Sequence, residues 1–224
     1  MDALVRAARH PYRRISTVSF ILLVASFVLL LLVGLSLPII KSVYLVAVHA
    51  ISVDIPTTIA TELRFGVWGV CASSSVLNQL PDNHECFGPM LGYSIPPQYA
   101  TLAGVSPTLV EAVEKGLLVV LVLHLVAAGL SFIGFLCSWF LGPHPIAIFT
   151  LIVSIVAGIV GTTVLAIDLA FVLIIRNKVI DELPYHIEVL FGPGVWMVLV
   201  GVILNWLAVV FLSARACYCC GVRR

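Results

Sequence analysis

Charged side chains are scarce in this sequence, in which 10% of the residues are Asp, Glu, Lys or Arg and 61% are hydrophobic. A soluble globular domain has about 25% charged residues, so this composition excludes one. The 12 basic and 11 acidic residues nearly cancel, and no basic cluster is interleaved with aromatic residues. The sequence therefore predicts no nucleic-acid partner and indicates an integral membrane protein.

The sequence also lacks the common motifs of catalysis. It contains no His-Glu-x-x-His, no Gly-x-Ser-x-Gly, no phosphate-binding loop and no paired acids within an apolar run. It has no Asn-x-Ser/Thr sequon either, so we do not expect N-glycosylation. These absences argue against an enzyme, and we predict neither a cofactor nor a metal ion.

Four apolar stretches are long enough to cross a bilayer, which takes about 20 residues in a helix. We predict membrane helices over residues 15–40, 116–142, 146–175 and 193–214. The first stretch is too long for the core of a signal peptide, so we expect it to be retained. Ser106 and Pro107 are typical of a helix start, and this helix is predicted to continue into the second span.

The basic residues near the predicted spans give the membrane orientation. Seven of them lie at the two termini, whereas five lie between the spans among nine acids. By the positive-inside rule, both termini are cytosolic. The other predicted segments are a basic cytosolic N-terminus (1–14), extracellular loop 1 (41–115), an inner turn (143–145), extracellular loop 2 (176–192) and a Cys-rich cytosolic tail (215–224).

Extracellular loop 1 carries a pattern that favours a small β-sheet. Residues 63–71 are mostly β-branched, aliphatic or aromatic, in a run too short for a helix face. Gly66 and Gly69 flank Trp68 and allow a strand to bend or another backbone to approach. With strand candidates at 42–50 and 86–93, the pattern predicts three antiparallel strands, which is near the minimum for stability.

Two cysteines of this loop, Cys71 and Cys86, enclose a polar segment rich in turn-forming residues. A disulfide that closed a loop of this length would stabilise the folded chain by about 3 kcal/mol through loop-closure entropy. Such a bond would matter for a small sheet that has little core of its own.

Asp168 is the single acid within the predicted third helix. At 1.5 Å per residue it lies about 37 Å from the inner turn, beyond roughly 30 Å of hydrocarbon. We therefore predict that Asp168 lies at the outer rim, where Lys41, Arg64 or Lys115 neutralises it. A proton relay, a known role of intramembrane acids, is the alternative.

The predicted tail contains Cys217, Cys219 and Cys220. Juxtamembrane cytosolic cysteines stay reduced and are candidates for S-palmitoylation. Metal binding is the weaker alternative, because three close thiols lack a fourth ligand. In the predicted fourth helix, we interpret Asn205 as a helix-to-helix hydrogen bond.

Gly66, Trp68, Gly69 and Cys71, followed by Cys86, form a pattern that resembles the first-loop signature of the claudin-like superfamily. The flanking segments are similar to those of the fungal Sur/PalI family; they are residues 38–44, 61–71 and 86–93. The resemblance implies a claudin-like membrane four-helix bundle with a small extracellular antiparallel β-sheet. It also implies that Cys71 is bonded to Cys86.

The resemblance further implies a non-enzymatic plasma-membrane protein with four spans in a fungal cell. Its role would be to organise cortical membrane domains or to serve as an accessory subunit of ambient-pH sensing. Its partners would be membrane lipids and other membrane proteins, such as a pH-sensing receptor or eisosome components. The alternative is a channel-related claudin-like protein involved in calcium influx or cell fusion, for which the excess of outer acids would attract cations.

Overall fold

The structure, a computed structural model, describes residues 2–37, 39–40, 42–50, 62–73, 84–87, 107–140, 144–182 and 187–221. These ranges contain four long α-helices and five β-strands. They are α1 (Asp2–Gly34), β1 (Val46–Ala50), β2 (Glu62–Phe65), β3 (Val70–Ser73), β4 (His84–Phe87), α2 (Pro107–Trp139), α3 (His144–Glu182), β5 (Ile187–Phe191) and α4 (Pro193–Gly221). This combination confirms the predicted fold class, a four-helix membrane protein with an antiparallel sheet.

Each helix contains a segment that is long and apolar enough to cross a membrane. The segments are Ile15–Gly34 in α1, Val122–Trp139 in α2, His144–Ile174 in α3 and Pro193–Ala216 in α4. Their mean hydropathy lies between 1.8 and 2.7. Large apolar side chains on these helices are exposed, among them Ile21 and Ile159. Such surfaces suit lipid rather than water, so the chain is a multi-pass membrane protein.

The helix ends differ from the predicted spans. Helix α1 begins at Asp2 rather than at residue 15, and α3 and α4 continue to Glu182 and Gly221 rather than ending at 175 and 214. Hydropathy marks where a helix can contact hydrocarbon, whereas the backbone hydrogen bonds of a helix can continue into water. The start of α2 at Pro107 confirms the helix start predicted from Ser106 and Pro107.

Helix α1 ends at Gly34, earlier than the predicted residue 40. The chain turns there, because the N–H of Ser36 donates to the carbonyl of Val33 at 3.0 Å. The N–H of Leu37 then donates to the carbonyl of Val43 at 3.1 Å. These bonds lead the chain from the helix end into the segment before β1.

The five strands form one antiparallel sheet in the order β4-β3-β2-β1-β5. Strand β1 pairs with β2 on one side and with β5 on the other. Strands β1 to β4 lie between α1 and α2, in the predicted first loop, whereas β5 lies in the predicted second loop, between α3 and α4. Strand β1 therefore joins the two loops in a single sheet.

This sheet corrects two predictions about strands. Residues 63–71 are not one strand, because β2 and β3 form a hairpin whose turn is closed by the N–H of Gly66 and the carbonyl of Gly69, 2.9 Å apart. Strand β5 lies in the segment predicted as extracellular loop 2; its five residues include side chains typical of a strand, but they are too few to indicate one without the pairing with β1. Strand β4 spans His84–Phe87, and the remainder of the predicted strand 86–93 lies outside the described residues.

The chain divides into two compact units, the first comprising Met1–Leu31, His124–Thr163 and Met197–Arg224. Its described elements are segments of the four helices. Its core contains four buried apolar residues, Leu23, Ala147, Ala208 and Leu212. Phe135 packs against them, and its ring centroid is 5.6 Å from that of Phe20, while the centroids of Phe27 and Phe132 are 5.2 Å apart.

Polar contacts between α3 and α4 lie within this first unit. The Nδ2 of Asn205 donates to the carbonyl of Ser154 at 2.9 Å, which confirms the interpretation of Asn205 as a helix-to-helix contact. The Nε1 of Trp206 donates to the Oγ1 of Thr162 at 3.1 Å. Gly158 lies between these contacts, and a Cβ there would be 2.9 Å from the Nδ2 of Asn205 and 3.1 Å from the Trp206 ring.

The second unit comprises Leu32–Leu123 and Val164–Trp196, and it contains the whole sheet. Its buried apolar residues include Leu37, Leu45, Val46 and Val67. They come from the end of α1, from β1 and the residue before it, and from the turn between β2 and β3. The core of this unit therefore forms where the segment between α1 and α2 packs on the end of α1.

We predict that Gly158→Leu lowers the stability of the protein by about 2 kcal/mol, because the added side chain overlaps Asn205 and Trp206. Thermal unfolding of the purified protein in detergent measures this loss. The matched control is Gly129→Leu, in a membrane span of α2, where a Cβ meets nothing within 4 Å. Equal unfolding temperatures for the two variants would contradict the packing of α3 on α4.

Candidate functional site

The turn between β2 and β3 is fastened to the C-terminal end of α1. The last carbonyls of a helix have no partner within the helix. Here the Nε1 of Trp68 donates to the carbonyl of Gly34 at 2.6 Å. The N–H of Val67 donates to the Oγ of Ser36 at 2.9 Å, and the N–H of Trp68 donates to the carbonyl of Leu37 at 3.0 Å. Two consecutive loop residues thus hold the helix end through three hydrogen bonds.

Gly66 makes this close approach possible. A Cβ at this position would overlap the Cβ of Leu37 and would lie 2.9 Å from the backbone nitrogen of Leu37. Both Gly66 and Gly69 are buried, and their backbones close the turn. The predicted signature residues Gly66, Trp68 and Gly69 therefore belong to one feature, which we call the signature turn (residues 66–69).

The two cysteines of the first loop are bonded to each other. Cys71 of β3 is directly opposite Cys86 of β4 in the register of the sheet. Their sulfur atoms are 2.03 Å apart and their Cα atoms 4.1 Å apart. Because β4 is an edge strand of the sheet, the disulfide joins this edge strand covalently to its neighbour, two residues after the signature turn.

A second junction, which the sequence pattern did not reveal, lies at the start of α4. The N–H of Gly192 donates to the carbonyl of Leu45 at 2.8 Å, and the N–H of Gly194 donates to the carbonyl of Tyr44 at 3.0 Å. A Cβ at Gly192 would overlap the carbonyl of Tyr44. The available signal was the Gly-Pro-Gly run around Pro193, in which proline can begin a helix and glycine allows close backbone contact.

Arg64 lies over the ring of Tyr44, with its Cζ 5.2 Å from the ring centroid. A cation–π contact of this kind contributes about 0.5–1 kcal/mol. Tyr44 thus contacts Arg64 through its ring and the start of α4 through its carbonyl. The sequence had indicated only Asp168 as a partner of Arg64.

The predicted ion pair at the rim stays a prediction. Asp168 is 2% exposed and belongs to the same unit as Arg64. Lys41 lies outside the described residues. The backbone of Lys115 lies in α2, but the structure does not describe its side chain.

The three tail cysteines, Cys217, Cys219 and Cys220, lie on the last turns of α4, which ends at Gly221. The structure describes their backbone but not their side chains, so their acylation also stays a prediction. Among the side chains that the structure does describe, no group of three His, Cys, Asp or Glu residues could hold a metal ion.

We predict that Gly66→Ala destabilises the protein by about 2 kcal/mol or more, because the new methyl group overlaps the Leu37 backbone. The unfolding temperature by size-exclusion chromatography after heating measures the effect. Gly34→Ala is the matched control, since a Cβ at Gly34 meets nothing within 4 Å. A Gly66→Ala protein as stable as the Gly34→Ala protein would rule out the docked turn.

The profile of the SUR7/PalI family matches residues 15–213. The matched range begins in α1, ends in α4 and includes all five strands. A comparison with curated proteins gives no match. Because the family profile covers most of the chain, this protein belongs to the SUR7/PalI family.

Proposed function

We propose that this protein is a non-enzymatic component of the plasma membrane that organises cortical membrane domains or assists ambient-pH sensing as an accessory subunit. The observation that carries the proposal is the single sheet that combines strands of both outer loops. Hydrogen bonds fasten this sheet to the end of α1 and to the start of α4. A rigid surface of this kind suits lasting contacts with other membrane proteins.

The proposed orientation has the sheet outside the cell and both termini in the cytosol. The positive-inside distribution of Arg and Lys supports it. The disulfide between Cys71 and Cys86 supports it too, because disulfides persist in oxidising surroundings and are rare in the cytosol. The sheet would then be the part of the protein that meets the surroundings of the cell.

The exposed apolar residues near the start of α4 support lipid and protein contacts. Leu190 of β5 is 47% exposed, and Trp196 on the first turn of α4 is 60% exposed. Tryptophan is enriched at the boundary between hydrocarbon and water. The non-enzymatic part of the proposal rests on the sequence, which lacks the common catalytic motifs.

Proximity labelling from the cytosolic tail tests the proposal in the native cell, in acidic and in neutral-to-alkaline medium. Enrichment of a pH-sensing receptor would support the accessory role, and enrichment of cortical eisosome proteins at either pH would support the organising role. Gly66→Ala, compared with Gly34→Ala at equal surface levels, should lose these neighbours if the outer sheet recruits them. Calcium influx that is lost in Asp168→Asn, with neither set enriched, would favour the channel-related alternative instead.

We further propose that the tail is S-acylated at one or more of Cys217, Cys219 and Cys220. Acyl-exchange labelling of the protein from cells should give a signal that a triple Cys→Ser variant abolishes. Cys137→Ser is the control, because Cys137 lies within the membrane span of α2 and should leave the signal unchanged. A wild-type protein without any signal would remove the lipid-anchor proposal.

A further inference from the structure

Three buried oxygen atoms of the helices have no hydrogen-bond partner among the residues that the structure describes. They are the Oγ of Ser131 in α2, the Oγ of Ser154 in α3 and the Oδ1 of Asn205 in α4. Each of these three residues is at most 2% exposed. A buried polar atom without a partner keeps the full cost of its desolvation, so such atoms in a native protein indicate a bound water molecule or ion.

The two serines differ in this respect from other hydroxyl side chains of the spans. The Oγ of Ser19 donates to the carbonyl of Ile15 at 2.9 Å, and the Oγ1 of Thr150 donates to the carbonyl of Ile146 at 2.7 Å. A hydroxyl in a helix can thus bond to the carbonyl four residues earlier. The hydroxyls of the two serines make no such bond. They are therefore available to a partner that lies between the helices.

The three oxygens come from residues that meet in the interior of the first compact unit. The Nδ2 of Asn205 lies 2.9 Å from the carbonyl oxygen of Ser154, which brings α4 to this residue. The Oγ of Ser154 would lie 3.5 Å from a Cβ on Gly134, so this hydroxyl faces α2. Ser131 precedes Gly134 by three residues, a spacing that places both on one face of α2. Each of three helices therefore brings one unpaired oxygen to the same part of the core.

Small residues leave room at this place. Four residues separate α2 from α3, so the two helices run in opposite directions. The level of Ser131 on α2 then corresponds to Ala157 on α3, three residues beyond Ser154. Ala157 is buried, and a Cβ on the next residue, Gly158, would lie 2.9 Å from the Nδ2 of Asn205. Ala157 and Gly158 thus keep the space between the three polar side chains free of bulky groups.

The chemistry of the three oxygens matches water. The two hydroxyls can donate and accept, whereas the Asn205 oxygen can only accept. A water molecule does both, and a buried water makes about three hydrogen bonds. An ion fits less well, because Ser154 lies ten residues into the span of α3, about 15 Å and thus roughly half the thickness of the hydrocarbon. All three side chains are neutral and would not compensate the charge of an ion there.

We propose that Ser131, Ser154 and Asn205 bind an internal water molecule that bridges α2, α3 and α4 in the middle of the membrane. The site is enclosed rather than part of a water-filled path, since all three residues are almost completely buried. Its role is to join helices where the burial of apolar surface gives little drive for association. The proposal goes beyond the function proposed above and does not depend on it.

Nuclear Overhauser effects from water test the site directly in the full chain, labelled with nitrogen-15 and purified in detergent. A cross-peak is expected between water and the side-chain amide of Asn205, assigned by triple-resonance spectroscopy. The backbone amide of Ala208 is the control and should give no cross-peak, because Ala208 is buried in the apolar core of the same unit. A missing cross-peak at Asn205 would overturn the proposal. Cross-peaks at both amides would overturn it as well, because they would indicate a water-filled path.

The variant Ser154→Ala distinguishes a bridging water from an unpaired hydroxyl by the sign of its effect. Loss of a hydroxyl that bonds to water should lower the unfolding temperature by about 2–4 °C. Loss of a hydroxyl without a partner would instead raise it, because a desolvation cost disappears. Ser19→Ala is the matched control, since Ser19 is equally buried but bonds within its own helix, and it should shift the unfolding temperature by about 1 °C or less. A rise in Ser154→Ala, or a fall no larger than that in Ser19→Ala, would contradict the water site.

Discussion

The end of α1 sets the constraint on which the sheet depends. At a helix end next to a membrane, each buried carbonyl without a hydrogen-bond partner lowers the free energy of unfolding by roughly several kcal/mol. The signature turn supplies a donor to the last helical residue, because the indole of Trp68 donates to the carbonyl of Gly34, and the N–H of Trp68 donates to the carbonyl of Leu37 just beyond the helix. Gly66 is required because any larger residue would overlap Leu37. The helix end and the turn thus stabilise each other.

The remainder of the sheet follows from this contact. Strands β2 and β3 lead out of the turn, β1 pairs with β2, and the disulfide joins β4 to β3. Tyr44 and Leu45, just before β1, accept the hydrogen bonds of Gly194 and Gly192 at the start of α4. The segment between α1 and α2 is therefore fastened to one helix end and one helix start. Strand β5, between α3 and α4, completes the sheet.

The helices are held together in a different way. Lipid is as apolar as the side chains of the spans, so burial of apolar surface gives little drive for helix association. Close packing at Gly158 and the hydrogen bond from Asn205 to Ser154 are the kinds of contact that hold α3 to α4 under these conditions. A buried hydroxyl does the same between α1 and α4, where the Oγ of Ser26 donates to the carbonyl of Gly201 at 2.8 Å.

The sequence by itself determined the features that depend on local composition. Apolar runs predicted four spans, Ser106 and Pro107 predicted the start of α2, and the glycines beside Trp68 indicated a close backbone approach. The disulfide partners and the family followed from the resemblance that the same residues carry. These features need few contacts between distant residues, so a linear pattern reveals them.

Only the tertiary structure decided how distant segments pair. Residues 63–71 divide into β2 and β3 because the signature turn between them packs on Gly34 and Leu37, about thirty positions earlier in the chain. Strand β5 forms because it can pair with β1. The register of the two pairings of β1 then places His49 directly opposite Glu62 on one side and Glu188 on the other. Hydrogen bonds between distant strands leave no periodic signal in the sequence, because each partner supplies only its backbone. The fold class was therefore evident from the sequence, whereas the register of the sheet was not.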